Sequence, residues 1–373
     1  MEFFFDIPNL IVCLLFIFVV CKMGIIPNWI GLIFVFYSFL PFLLNDFLFP
    51  ARYMKDQFFY FNTIQEVRSF NIFPDTNNKA LVTSWFLSLV PLPYVETVKS
   101  LGFFNRLLFF ILFCWLYNKK FLRGLPLFFF IFYPSLVLYT SLSLRDPLVL
   151  SLMLVSIIFL IEKKYFKFVL VLTPLYLIKF QNFYFILILL IFSLLFKNED
   201  FFKKYKYYFL TFLVILIYPF FYEILSSIDM FRGAMYRSDG GNMEFYQPLD
   251  GIKSFIIYSV TALPYFIMKP FPWEAENFFQ LIQSIENIFL LIFLIFFTKK
   301  SFNQNKLITS KWLLYSLFVM AIYGLVVYNF GTAVRYKFAI IVTYVIGLSY
   351  ELYAIKGFIF DTYLKKNSKK ILN

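Results

Sequence analysis

Hydrophobic positions in this chain fall in long unbroken runs separated by short polar stretches, with little of the strict alternation of a strand or the narrow stripe of a surface helix. A helix needs about 20 such residues to cross the roughly 30 Å of hydrocarbon in a bilayer. Runs of this kind lie at 4–21, 27–45, 103–118, 125–141, 147–161, 166–178, 181–196, 207–222, 279–298, 312–329 and 336–355. Two others, Ala80 to Val98 and Ser254 to Met268, are short or broken by proline and read as re-entrant or interfacial. The pattern predicts an all-α fold, a polytopic transmembrane helical bundle of about 11 spans. It forms a single integral membrane domain over residues 1–373, with outer loops at 46–102 and 223–277. The first run, Leu10 to Val20, has no basic segment before it and no Ala-x-Ala end, so it reads as a retained span.

Composition agrees with that pattern. The chain is 61% hydrophobic, with 58 Phe and 27 Tyr, and its mean hydropathy is +0.78; a soluble chain has an apolar share of about half. Cys13, Cys21 and Cys114 lie in or beside apolar runs, spaced for neither metal nor a disulfide framework, and read as packing residues. The net charge of +13 would suggest nucleic acid in a soluble protein. Here the basic residues sit in short loops between spans, which the membrane explains, and no nucleic-acid partner is expected. Histidine is absent, which excludes a zinc site of the usual kind and a histidine base. No metal and no cofactor is predicted, and a general base would be a carboxylate.

Lysine sets the orientation, because cytoplasmic loops collect positive charge. Lys119 and Lys120, Lys163 to Lys167, Lys197 to Lys206, Lys299 to Lys311 and the tail from Lys356 fall on one face, the cytoplasmic one, if 254–268 does not cross fully. Arginine then tests the map independently. Of 26 lysines 19 fall inside, whereas seven of eight arginines (52, 68, 106, 145, 232, 237 and 335) fall outside and only Arg123 inside. A pure topology signal would send both the same way. Guanidinium groups suit phosphate and carboxylate recognition, so the asymmetry predicts an outer anion site.

Four outer stretches hold the candidate chemistry. Arg145-Asp146-Pro147 opens an apolar run: Asp146 is placed to cap and Pro147 to start a helix, and Arg145 is either a snorkelling anchor or part of an anion site. The segment from Phe49 to Tyr60 alternates charge with rings; it is either an amphipathic helix on the headgroups or a wall of a cavity in which Asp56 takes a proton, with Arg52 beside the substrate. The polar piece from Glu223 to Lys253 contains Arg232 and Arg237, and Gly233 with Gly240-Gly241 predicts a bent loop, either a ligand clamp or a solvated connection. In the segment Leu263 to Asn277, prolines 264, 270 and 272 argue against a regular helix. Trp273 and Glu274 there suit a saccharide site, although Trp273 equally suits an interface anchor. Glu286 lies inside the next apolar run as a site or helix-packing residue. Gln181 and Arg335 sit at further helix mouths, and the recurrence of such mouths suggests one shared cavity.

Together R-Y-M-K-D-Q-F-F-Y, S-L-S-L-R-D, L-P-Y-F-I-M-K-P-F-P-W-E and the closing G-T-A-V-R-Y-K resemble the O-antigen and capsule repeat-unit polymerases, the Wzy-like membrane proteins, in layout and short motifs over nearly the whole length. That resemblance implies a GT-C-like glycosyltransferase of the bacterial inner membrane with its active face periplasmic. It would join undecaprenyl-pyrophosphate-linked oligosaccharide repeats, with membrane lipid and a chain-length regulator as further partners. Arg145, Arg232, Arg237 and Arg335 match the pyrophosphate-binding arginines by position. Two alternatives stand beside it: a GT-C enzyme using a polyprenyl-phosphate sugar, in which a first-loop Asp such as Asp56 is catalytic, and a lipid-linked oligosaccharide flippase. The flippase would show internal repeats and charge spread along span interiors.

Overall fold

The computed structural model describes residues 3–49, 54–70, 78–88, 95–196, 208, 211, 221–238, 243–327 and 329–371. Among them every regular element is helical. The chain divides into two compact units, Met1–Ile186 and Leu187–Asn373.

The first unit holds α1 (Phe3–Lys22), α2 (Asn28–Ser38), α3 (Leu40–Leu44), α4 (Lys55–Arg68), α5 (Asn78–Ser88), α6 (Val98–Asn118), α7 (Leu125–Phe132), α8 (Pro134–Tyr139), α9 (Asp146–Ile161), α10 (Tyr165–Ile178) and the start of α11 (Phe180–Leu195). The second holds α12 (Phe221–Ser238), α13 (Ile252–Met268), α14 (Phe278–Phe302), α15 (Lys306–Val326) and α16 (Phe330–Ile371). Among the described residues five helices are long and apolar enough to cross a membrane: Phe4–Lys22, Val98–Asn118, Phe278–Phe302, Lys306–Val326 and Phe330–Ile355. The other expected spans are shorter, for local reasons. Pro41 sits at the start of α3 and Pro134 at the start of α8, and a proline lacks the N–H that would continue the preceding helix, so the runs 27–45 and 125–141 each break into two pieces. The helices α9, α10 and α11 remain apolar but have 16, 14 and 16 residues, and α13, over the stretch read as re-entrant or interfacial, has 17. The run 207–222 lies almost wholly outside the described residues.

The core of the first unit is α6. Phe34 of α2 meets Phe109, Phe110 and Phe113 of α6 with ring centroids 5.9, 4.7 and 4.8 Å away. The fully buried Asp6 of α1 accepts from Thr97 Oγ1 at 2.5 Å, Ser100 Oγ at 2.7 Å and Asn9 Nδ2 at 3.1 Å, so a carboxylate out of water is satisfied by three donors. Arg106 is corrected by this packing. It belongs to the buried face of α6 and not to an outer rim. Its guanidinium lies between the rings of Tyr37 and Phe109, each 5.4 Å away, and donates Nη2 to the Val137 carbonyl at 2.6 Å. The helix starts at Val98, five residues before the apolar run at 103, and so places Arg106 two turns inside it rather than near its end.

In the second unit α15 and α16 are joined by Lys311, whose ammonium donates to both oxygens of Glu351 at 2.6 and 2.5 Å, while Trp312 Nε1 donates to Oε2 at 2.7 Å. Trp312 closes over Gly347, where a Cβ would lie 2.1 Å from the indole. Gly102 plays the same part in the first unit: a Cβ there would lie 2.6 Å from the Ser141 carbonyl, which is backbone and cannot swing away. Gly102→Ala and Gly347→Ala should each lower stability by about 1–3 kcal/mol through overpacking. Thermal unfolding in detergent checks this, with Gly251→Ala, which meets open space, as the tolerated control.

Candidate functional site

The stretches assigned by sequence to the outer side meet one another within each unit. In the first unit the irregular turn 141–144 is held by two buried amides. Asn45 donates to the Ser141 carbonyl at 2.7 Å and accepts from the Ser143 N–H at 2.8 Å, and Asn105 donates to the carbonyls of Leu142 and Leu144 at 2.6 and 2.7 Å. This fixes the start of α9. Asp146 does not cap with its side chain as expected; it faces Lys179 at 3.5 Å, and both are buried. Arg145 is half-buried, donates Nη1 to the Ile178 carbonyl at 3.3 Å and lies 5.9 Å from the Tyr60 ring of α4, while its Nε is buried without a partner. Gln181 sits half-buried in the first turn of α11, beside the buried Asn182. Well away in sequence, Glu162 pairs with both Lys119 and Lys164, stretches assigned to the cytoplasmic side.

Asp56 stands exposed in the first turn of α4, whose buried face is Gln57, Tyr60, Thr63, Ile64 and Val67. A cavity of about 400 Å³ beside α4 is lined by Asp46, Asn62, Glu96 and Lys99 with phenylalanine rings, and Asp56 is not among its walls. Arg68 donates to the Ser88 carbonyl at 3.3 Å; burial pushes its guanidinium below the usual value, against the opposing charge of Glu96. Arg52 lies outside the described residues.

The second unit contains the site with the clearest chemistry. A cleft of about 250 Å³ lies between α12, α13, the end of α15 and the start of α16, with Arg232, Lys269, Tyr258 and Tyr265 on its walls and Phe330 and Ala333 opposite. That volume suits a phosphate headgroup rather than a whole oligosaccharide. Arg232 is buried by Tyr246 and Tyr258, whose ring centroids lie 5.3 and 4.8 Å from it, and donates to the Gln247 carbonyl. Asp229, one turn before it, anchors the covering segment by accepting from Tyr246 Oη at 2.7 Å and the Leu249 N–H at 2.8 Å. The Lys269 ammonium lies 4.3 Å from the Tyr265 ring centroid and 3.3 Å from Glu274 Oε1. Above it Phe271 stacks on Trp273 with centroids 4.9 Å apart, and the Trp273 ring is 79% exposed. Two cations therefore share one cleft, with a carboxylate bound to one of them and an exposed indole one residue before that carboxylate in the chain, a donor set for an anionic headgroup.

Two local expectations are overturned here. The bent loop expected at Gly233 is a continuous helix, because one glycine costs only about 1 kcal/mol in a helix and the Tyr246 ring covers the bare backbone. Five positions apart on a straight helix, Arg232 and Arg237 splay, and Arg237 is exposed away from the cleft. Pro264 lies inside α13, whose surrounding turns tolerate a single lost N–H; Pro270 and Pro272 follow its end. Arg335, half-buried in the second turn of α16, is two positions past Ala333 and so on the other side of that helix from the cleft wall. One turn beyond Ala333, the residue sequence reasoning missed is Lys337. It is fully buried and donates to the Ile267 carbonyl at 2.9 Å and to Asn287 Oδ1 at 2.6 Å. Asn287 in turn donates to the carbonyls of Met268 and Lys269 at 3.0 Å each, Gln283 donates to Asn287 at 3.2 Å, and the Glu286 charge acts on Lys337. Glu286 thus belongs to the support beneath the cleft. The sequence signal was weak, because Lys337 is the second residue of the apolar run 336–355 and reads as a helix-mouth cation; α16 begins at Phe330 and so carries it two turns inside.

Inorganic pyrophosphate should raise the unfolding temperature of the purified chain. Arg232→Ala and Lys269→Ala should each weaken it about 10- to 100-fold, the worth of a charged hydrogen bond, and Glu274→Gln, which releases Lys269, should tighten it. An unchanged thermal shift in Arg232→Ala would show that the cleft does not bind the anion.

Among proteins with known families, curated descriptions or solved structures, none matches this chain by family model, sequence or fold.

Proposed function

We propose that this chain is a polytopic inner-membrane glycosyltransferase that polymerises undecaprenyl-pyrophosphate-linked oligosaccharide repeat units on the periplasmic face, with the shorter apolar helices crossing alongside the long ones to give about 11 spans. The observation that carries the reading is the pair of cations, Arg232 and Lys269, on the walls of one cleft, with the Glu274 carboxylate on Lys269. It joins the resemblance in sequence layout to a chemistry of the right kind. A hydroxyl of one repeat unit attacks the anomeric carbon of the other, the new glycosidic C–O bond forms, and the old C–O bond breaks with its electron pair leaving on pyrophosphate. Arg232 and Lys269 stabilise the charge that develops there, the point at which fixed donors contribute most. A bound diphosphate competes with Glu274 for Lys269, and the released carboxylate accepts the hydroxyl proton. Its pair with a cleft cation favours Glu274 over the exposed Asp56 as base. Arg145, beside Lys179 at the mouth of α9, serves a pyrophosphate in the first unit.

A second reading, a lipid-linked oligosaccharide flippase, draws on one observation: charge does lie inside the helices, at Arg106, Lys311 and Lys337. Gel electrophoresis of lipopolysaccharide from a deletion strain separates the two. Loss of a polymerase leaves single repeat units on the lipid core, whereas loss of a flippase leaves none. Complementation with Arg232→Ala or Arg145→Ala should give an inserted protein and single repeats, and Arg237→Ala should restore full-length polymer. Normal polymer from both of the first two variants would sink the proposal.

A further inference from the structure

A second cavity in the second unit, larger than the cleft, takes no part in this chemistry. It is a groove of about 490 Å³ between α14, α15 and α16, almost wholly aliphatic, bounded by Leu291 and Ile267 at one end and by Lys299 and Asn303 at the other. Leu291 and Asn303 are twelve positions apart on one helix, about 18 Å, close to the depth of one leaflet of a roughly 30 Å hydrocarbon core. Only 28% of the apolar window of α14 is buried in the protein, so the groove opens on a face that a bilayer would cover. Lys299 and Asn303, one helical turn apart and both exposed, put a cation and an amide at the same end. The Ser316 hydroxyl on the groove wall is buried yet has no hydrogen-bond partner.

The geometry points to a specific site for one anionic phospholipid, with an acyl chain in the groove, its phosphate at Lys299 and Asn303, and an ester carbonyl accepting from Ser316. The apolar walls disfavour an extended peptide, whose backbone groups would go unpaired there, and the cation at one end sets the headgroup. The site is independent of the cleft and of the polymerase reading.

Native mass spectrometry of the full chain in mild detergent, titrated with palmitoyl-oleoyl phosphatidylglycerol and with the matching phosphatidylcholine, tests it. Phosphatidylglycerol should be retained about fivefold better, the worth of one lysine near an anionic headgroup. Lys299→Ala should remove that preference, Lys300→Ala should keep it, and Leu317→Trp, which fills the groove, should lower retention of both lipids. Equal retention of the two lipids by the unmodified chain overturns the proposal, as does loss of preference in Lys300→Ala equal to that in Lys299→Ala. Retention of a C55 polyprenyl phosphate in place of phosphatidylglycerol would overturn the acyl-chain assignment.

Discussion

The ammonium of Lys337 is the interaction on which the cleft depends. A charge withdrawn from water inside a helix bundle must recover its solvation from fixed dipoles. Lys337 does so from the Ile267 carbonyl and Asn287, while Asn287 spends its own donors on the next two carbonyls, Met268 and Lys269. These three successive carbonyls lie at the end of α13, where a helix has no intrahelical donors left to offer. One lysine and one asparagine, from α16 and α14, therefore supply the missing cap of α13. The residues so placed include Tyr265 and Lys269, the wall and the cation of the cleft. Binding chemistry at the mouth rests on a polar lock a turn below it.

The same economy explains which arginines are available for a ligand. Arg106 is spent on aromatic rings and one carbonyl, Arg68 on the Ser88 carbonyl, and Arg237 points into solvent. Arg232 and Arg145 differ in place: Arg232 lines the cleft and Arg145 is half-buried, whereas Arg106 is fully enclosed. Each is held by a main-chain carbonyl and by aromatic rings, which orient the guanidinium plane. Planarity held by apolar contact with charge retained is what a phosphate site requires.

Much of this was legible in the sequence, and what was not has a physical reason. The long apolar helices over 98–118, 278–302, 306–326 and 330–355 were legible from hydropathy as runs at 103–118, 279–298, 312–329 and 336–355. Their starts were not, because a helix continues past its apolar run as long as its backbone groups stay paired. The meeting of 223–277 with the turn before α16 was legible too, since short connections return polar stretches to a common end. Helix continuity through Gly233 and Pro264 was hidden, because a local penalty of a few kcal/mol at most is set against packing that one sequence does not display. The roles of Arg106 and Lys337 were hidden for a related reason. Residue type gives the cost of burying a cation, but only the fold shows which carbonyls are near enough to offset it.

Buried charge also bears on the choice between polymerase and transporter. Alternating access needs an element with two arrangements of comparable free energy, and a charge that takes part must exchange one set of partners for another. Two of the buried cations are tied in ways that resist exchange. Lys337 is bound to a main-chain carbonyl and an amide that is itself doubly committed, and Lys311 is bound to both oxygens of a carboxylate that also accepts from Trp312. Moving either would strand several partners at once, each costing about 1–3 kcal/mol. Such nodes hold a surface still. Lys269 with Glu274, partly exposed beside the cleft, is an ion pair that can exchange its partner at lower cost. On the proposed reading, this exchangeable charge sits where a substrate phosphate would arrive, and the tightly bound Lys337 lies beneath it.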